Sequence, residues 1–85
     1  MQTADSSPKK YSVAVQSSSL SNLAYDSQHA ILQVEFRDGR VYEYSGVPLL
    51  TFQELLQADS KGAFFNHHIR SRFPHNRAAA LPGKY

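Results

Sequence analysis

Residues 31–45, ILQVEFRDGRVYEYS, decide the fold. Leu32, Val34 and Phe36 alternate with Gln33, Glu35 and Arg37, the period-2 pattern of a strand with one buried face. Asp38-Gly39 supplies a turn, and Val41 to Ser45 resumes the alternation. Two registers are open. A two-residue Asp-Gly loop pairs Arg37 with Arg40 and sets Tyr42 opposite Glu35. A three-residue loop, Arg37-Asp38-Gly39 with Gly39 left-handed, pairs Phe36 with Arg40, so that Val34 faces Tyr42 and Leu32 faces Tyr44. A slip of one residue turns a strand's side chains to the other face, and only the second register buries the aromatics with the aliphatics. The three-residue loop is expected.

Upstream, Ser19 to Asp26 (SLSNLAYD) has strand character, with Leu23 and Tyr25 on one face. Asp26-Ser27-Gln28-His29 would be its polar turn into the hairpin. Residues 11–15 (YSVAV) also read as extended, either paired as an edge strand or not. Downstream, Pro48 suits the first turn of a helix, where its missing N–H costs nothing. Leu49, Phe52, Leu55 and Leu56 recur at helical spacing up to Ala58, while Leu50 falls opposite with Glu54 and Gln57. Ser60 is a candidate N-cap for a second helix from Lys61 to Arg72, with Phe65, Ile69 and Phe73 as its apolar stripe and Pro74 as its stop. The expected fold is α+β. A small antiparallel sheet of three strands, or four if residues 11–15 pair, precedes two helices packed on one face. Residues 1–10 and 74–85 lack periodicity and read as flexible tails around a folded unit at 11–73.

Composition narrows the function classes. Eighty-five residues allow one domain, and 41% apolar with 12% aromatic content suits a folded chain rather than a disordered one. Without cysteine there is no disulfide, thiolate metal site or cysteine nucleophile. No secretory leader is visible at the start, and no stretch nears the roughly 18 to 20 apolar residues of a membrane span, so a cytoplasmic setting is expected. The net charge of +2 is unevenly spread. All seven acids lie in residues 1–59 against four bases, whereas residues 60–85 hold five bases and no acid. That end favours polyanions through counterion release, although a basic, solubilising surface explains it equally well.

Three runs together resemble a known family. SSSLSNLAYD (17–26), LQVEFRDGRVYEYSGVP (32–48) and LLQADSKGAFFNHHIRSRF (55–73) are similar to the KTSC domain. That family is named for its place at the C-terminus of some lysyl-tRNA synthetases and also occurs as small bacterial proteins. Its Tyr-x-Tyr signature stands here as Tyr42-Glu43-Tyr44, followed by Gly46-Val47-Pro48. Ser60, Gly62, Phe65-Asn66 and Ile69-Arg70 meet its later pattern. The resemblance implies a synthetase-attached module for which RNA binding has been suggested, and it fixes no chemistry.

The candidate binding residues are the basic and amide groups Lys61, Asn66, His67, Arg70 and Arg72, with Arg37 and Arg40 from the hairpin. Asn66 and Arg70 could grip a phosphate or base edge as a pair, or could tie down loops instead. Tyr42 and Tyr44 could stack bases, but their register favours a core role with the hydroxyls at its edge. Lys61 and the free N–H groups at the start of the second helix could hold a phosphate or carboxylate, but Asp59 would repel an anion and Ser60 has the commoner role of a cap. His67 and His68 are adjacent rather than one turn apart, so no metal site is expected, and no cofactor either. Ser17-Ser18-Ser19 lacks a nucleophile-elbow context, and Gly39, Gly46 and Gly62 are isolated. A non-catalytic module is expected, with tRNA or another structured RNA as partner. The alternative is a protein-interaction module using an open sheet edge and the outward-pointing Ile31, Val41 and Leu50. A monomer is expected over a stable oligomer.

Overall fold

The computed structural model describes residues 10–78. Within them lie β1 (Lys10–Ala14), β2 (Leu20–Asp26), β3 (Ile31–Phe36), β4 (Val41–Ser45), α1 (Leu49–Gln57), α2 (Lys61–His68) and β5 (His75–Ala78). The strands form one antiparallel sheet in chain order, β1-β2-β3-β4-β5, with both helices inserted between β4 and β5. The α+β class is as expected, but among the described residues the sheet has five strands rather than three or four. Residues 11–15 supply one of the additions: β1 pairs along β2, with Val13 opposite Leu23. The other is β5, which falls within the stretch read as a C-terminal tail. HNRA has no apolar alternation to announce a strand. It is held by its ladder to β4, and Ser45 N–H donates to the Pro74 carbonyl at 3.0 Å. The remaining tail residues, 1–9 and 79–85, lie outside the described residues.

The central hairpin has the expected register. Val34 pairs with Tyr42 and Leu32 with Tyr44, while Phe36 N–H donates to the Arg40 carbonyl at 2.8 Å. Gly39 closes the loop at φ 94°, a backbone conformation that disfavours a Cβ. In β2 the pattern alone misleads. Leu20 and Leu23 are an odd number of residues apart yet both are fully buried, because the register shifts between Leu20 and Asn22. This bulge lets one strand send both leucines to the same core. The turn after β2 is held by Asp26, whose Oδ1 accepts from the N–H groups of Gln28 and His29.

One core lies between the sheet and the helices. Leu20, Leu23, Leu32 and Val34 meet Phe52, Leu55, Phe65 and Ile69 there, all at 2% exposure or less. Tyr25 stacks on Phe52 with centroids 4.7 Å apart, and its hydroxyl donates to the Val47 carbonyl at 2.6 Å. This bond satisfies a polar group that burial would otherwise penalise. Pro48 occupies the N-cap of α1, one position before the first turn expected for it. Leu49 is 42% exposed, outside the stripe to which spacing assigned it, while Leu50 is exposed as expected.

Ser60 caps α2, its Oγ accepting from Ala63 N–H at 3.2 Å. The helix ends at His68 rather than Arg72. Ile69 leaves helical geometry at φ −124°, and both Ile69 and Arg70 N–H groups donate to the Phe65 carbonyl. Gly62 allows the serine loop before β2 to lie against this helix: a Cβ here would sit 3.0 Å from Ser19 Oγ. The far face of the sheet carries polar cross-strand pairs, with Asn22 donating to Glu35 and Gln33 to Glu43. Val41, expected to point outward, does face away from the helices but is 97% buried beside Ala24, with Ala78 of the unforeseen β5 packed against them.

Candidate functional site

Alternation along β4 sends Tyr42 and Tyr44 to the helix side of the sheet. There they oppose Arg77 and His75 of β5 respectively. Phe65 of α2 closes over Tyr44 edge-on, with ring centroids 5.3 Å apart. Tyr42 stays half-buried, with the Phe36 and His75 rings nearly perpendicular to it, each with its centroid 5.7 Å away. A cleft of about 310 Å³ opens at this place. Its floor is Tyr42 and Tyr44, with Phe36 and Phe65 behind them. Its rim carries Arg40, Ser19, Asn66, Arg70 and His75. Among the described residues that line it there is no Asp or Glu.

Both arginines are held in place. Arg40 Nε donates to Asp38 Oδ2 at 2.8 Å, and Asp38 Oδ1 accepts Arg40's own backbone N–H at 3.0 Å. The backbone bond and the guanidinium together hold the Asp38 carboxyl below its ordinary value, and the Arg40 guanidinium is shifted up in return. The guanidinium carbon also lies 5.9 Å from the Phe36 ring centre, a cation–π distance. Arg70, just beyond α2, donates from Nη1 to Asn66 Oδ1 at 3.3 Å. An arginine has five N–H donors, so these contacts leave most of each fork available. Burial pushes the Tyr44 phenol up, and the charge of Arg70 partly offsets it. The site thus presents two oriented cations above aromatic rings, a combination suited to an anionic, planar ligand.

The KTSC domain profile matches residues 16–73 of this sequence. The chain belongs to the KTSC family. It is 54% identical over 54 residues to an uncharacterised protein of Stutzerimonas stutzeri, covering 64% of this chain and 76% of that protein. A lysine–tRNA ligase of Trichormus variabilis is 42% identical over 53 residues, covering 62% of this chain but 9% of the ligase. The crystal structure of a KTSC domain protein from Yersinia pestis superposes with a TM-score of 0.78 at 31% identity, over 82% of this chain and 99% of that one.

The KTSC fold sorts the residues singled out from sequence. Arg40, Asn66 and Arg70 converge on the cleft, with Tyr42, Tyr44 and Phe65 of the signature beneath them. Lys61 does not join them; its Nζ donates to the Ala58 carbonyl at 3.2 Å. Arg37 Nε donates to the Ser17 carbonyl, fastening the serine loop. His67 and Arg72 are exposed and do not line the cleft. Ser60 serves as a cap, and Ile69 is fully buried in the core. Phe36 and Ser19 were not anticipated at the site. His75 and its neighbour Arg77 lie beyond the matched region, in a strand without apolar periodicity; only the ladder to β4 brings them beside the tyrosines. Among the described residues no cluster of His, Asp or Glu could hold a metal ion, and no helix is long and apolar enough to cross a membrane.

Proposed function

We propose that this KTSC chain is a non-catalytic, cytoplasmic module that binds RNA. The observation that carries the reading is the convergence of Arg40 and Arg70 on one aromatic-floored cleft without a lining carboxylate. Arg40 comes from the acid-containing part of the chain and Arg70 from the acid-free end, so their meeting is a property of the fold. Guanidinium forks match phosphate oxygens, and aromatic faces accept bases of any sequence. The similar segment within a lysine–tRNA ligase supports tRNA as the first RNA to test.

Amide shifts of the labelled protein should move at the hairpin loop and at residues 60–77 when total bacterial tRNA is added, and the movement should weaken with salt. Arg40→Ala combined with Arg70→Ala should lower affinity across RNA sequences and flatten the salt dependence by about 0.7 in log–log slope per lost phosphate contact. Unchanged affinity in a folded double variant rejects this reading. A second reading, protein interaction, is favoured by the exposure of Leu49 at 42% and Leu50 at 64% on adjacent positions of α1. It expects Leu50→Glu to abolish a complex that the double arginine variant leaves intact.

A further inference from the structure

We propose that the cleft is a subsite for one unpaired nucleotide, its phosphate between Arg40 and Arg70 and its base on the Tyr42 ring. This inference rests on the RNA-binding reading and narrows it to a stated ligand unit. Size is the first argument. About 310 Å³ lies at the small end of ligand pockets, roughly 300 to 1,000 Å³, and excludes a duplex while leaving room for a single planar group with its substituents.

The arrangement of chemistry is the second. Arg40 and Arg70 are exposed at the rim, whereas Tyr42 is half-buried below them. A ligand with charge outside and a flat ring inside therefore fits, and the reverse orientation does not. Donors dominate the rim. Asn66 Oδ1 is engaged by Arg70, which leaves its Nδ2 as a further donor among the lining groups. Phosphate oxygens and the carbonyl or ring-nitrogen acceptors of a base meet that requirement; a cationic ligand does not.

Preorganisation is the third argument. Arg40 is already fixed by Asp38, and Arg70 by Asn66. Perpendicular ring contacts with Phe36 and His75 hold the Tyr42 ring. Fewer side chains must then be ordered when the ligand arrives. Asp38 also reduces the net charge at the rim, which makes the ring contact, and not charge alone, necessary for useful affinity.

The test is an amide-shift titration of the intact protein with uridine and adenosine 5′-monophosphates, the two nucleosides, inorganic phosphate, a phosphotyrosine peptide and total tRNA. Monophosphates should shift Tyr42, Asn66, Arg70 and His75, and should bind more tightly than nucleosides or phosphate. Asn66→Asp, an exposed change that places a carboxylate beside Arg70, should weaken monophosphate binding roughly tenfold or more without unfolding the domain. Tyr42→Ala should cost on the order of tenfold through lost stacking. If tRNA binds but monophosphates leave the cleft unshifted, the subsite is rejected and the RNA reading survives. Monophosphates that bind when tRNA does not would preserve the cleft and reject the RNA reading. Phosphate binding as tightly as the monophosphates, or a phosphotyrosine peptide binding more tightly, overturns the assignment to a nucleotide.

Discussion

The centre of the sheet and its β4–β5 end use the same strand face for opposite purposes. Under α1 and α2 that face is Leu23, Tyr25, Leu32 and Val34, closed to water at 2% exposure or less. Toward β5 it becomes Tyr42, His75 and Arg77, and α2 reaches only as far as Tyr44. Tyr42 and Tyr44 have the same alternation and nearly the same neighbours in sequence, yet Tyr44 is 3% exposed and Tyr42 is half-buried. Strand pattern therefore selects the face. The reach of the helices selects which part of the face is core and which remains open to a ligand.

Substitutions can break this contrast. Phe65→Ala removes the ring that seals the core edge and backs the cleft, and should cost about 3 to 5 kcal/mol in denaturant unfolding. Tyr42→Ala should cost clearly less, because its ring is already half open to solvent; equal losses would mean that the β4–β5 end is core as well. Tyr25→Phe keeps the stack on Phe52 but leaves the Val47 carbonyl without its buried partner, for about 1 to 3 kcal/mol. Ser60→Ala should lose about 1 kcal/mol, with Ser60→Gly recovering most of it, as expected of a cap. Arg70→Ala at the open end should change stability by less than about 0.5 kcal/mol while weakening RNA binding. A large stability loss there would recast Arg70 as structural.

Proton linkage sharpens the same division. Burial raises the phenols of Tyr25 and Tyr44 above their ordinary value of 10.0, so the folded state favours the protonated forms. Their contribution is complete below pH 10.0 and is lost as pH rises through the folded values. Unfolding midpoints measured across that range should fall, and Tyr44→Phe should reduce the fall. The acid limb has the opposite sign and the smallest effect. Hydrogen bonds hold the half-buried Asp26 and the exposed Asp38 carboxyls below 3.8, so their contribution is present above 3.8 and lost as pH falls through the folded values. Asp26→Asn should flatten that limb.

The hairpin was legible because a period-2 pattern and a left-handed glycine leave one register that buries Phe36, Tyr42 and Tyr44 together. The helix starts were legible from Pro48 and Ser60, since proline and a serine cap act within a single turn. Arg40, Asn66 and Arg70 of the rim could also be named, the last two from a four-residue spacing that spans the end of α2. The other contributions were hidden. The bulge at Ser21 breaks the alternation that would have assigned Leu20, and the end of α2 depends on two N–H groups sharing the Phe65 carbonyl.

What the sequence determined alone was therefore local: the α+β class, the hairpin register, the caps, and an acid-free basic end. Each follows from residues within a few positions of one another, where backbone sterics and side-chain period suffice. Only the tertiary structure decided that HNRA is a strand, that Val41 is buried, and that Arg40 and Arg70 share a cleft over Tyr42. The first two depend on β5 returning past two helices to pair with β4, and the third on α2 packing over β4 through Phe65 and Tyr44. A ladder is satisfied by backbone groups that every residue except proline carries in full, so a polar edge strand leaves no mark in its side chains.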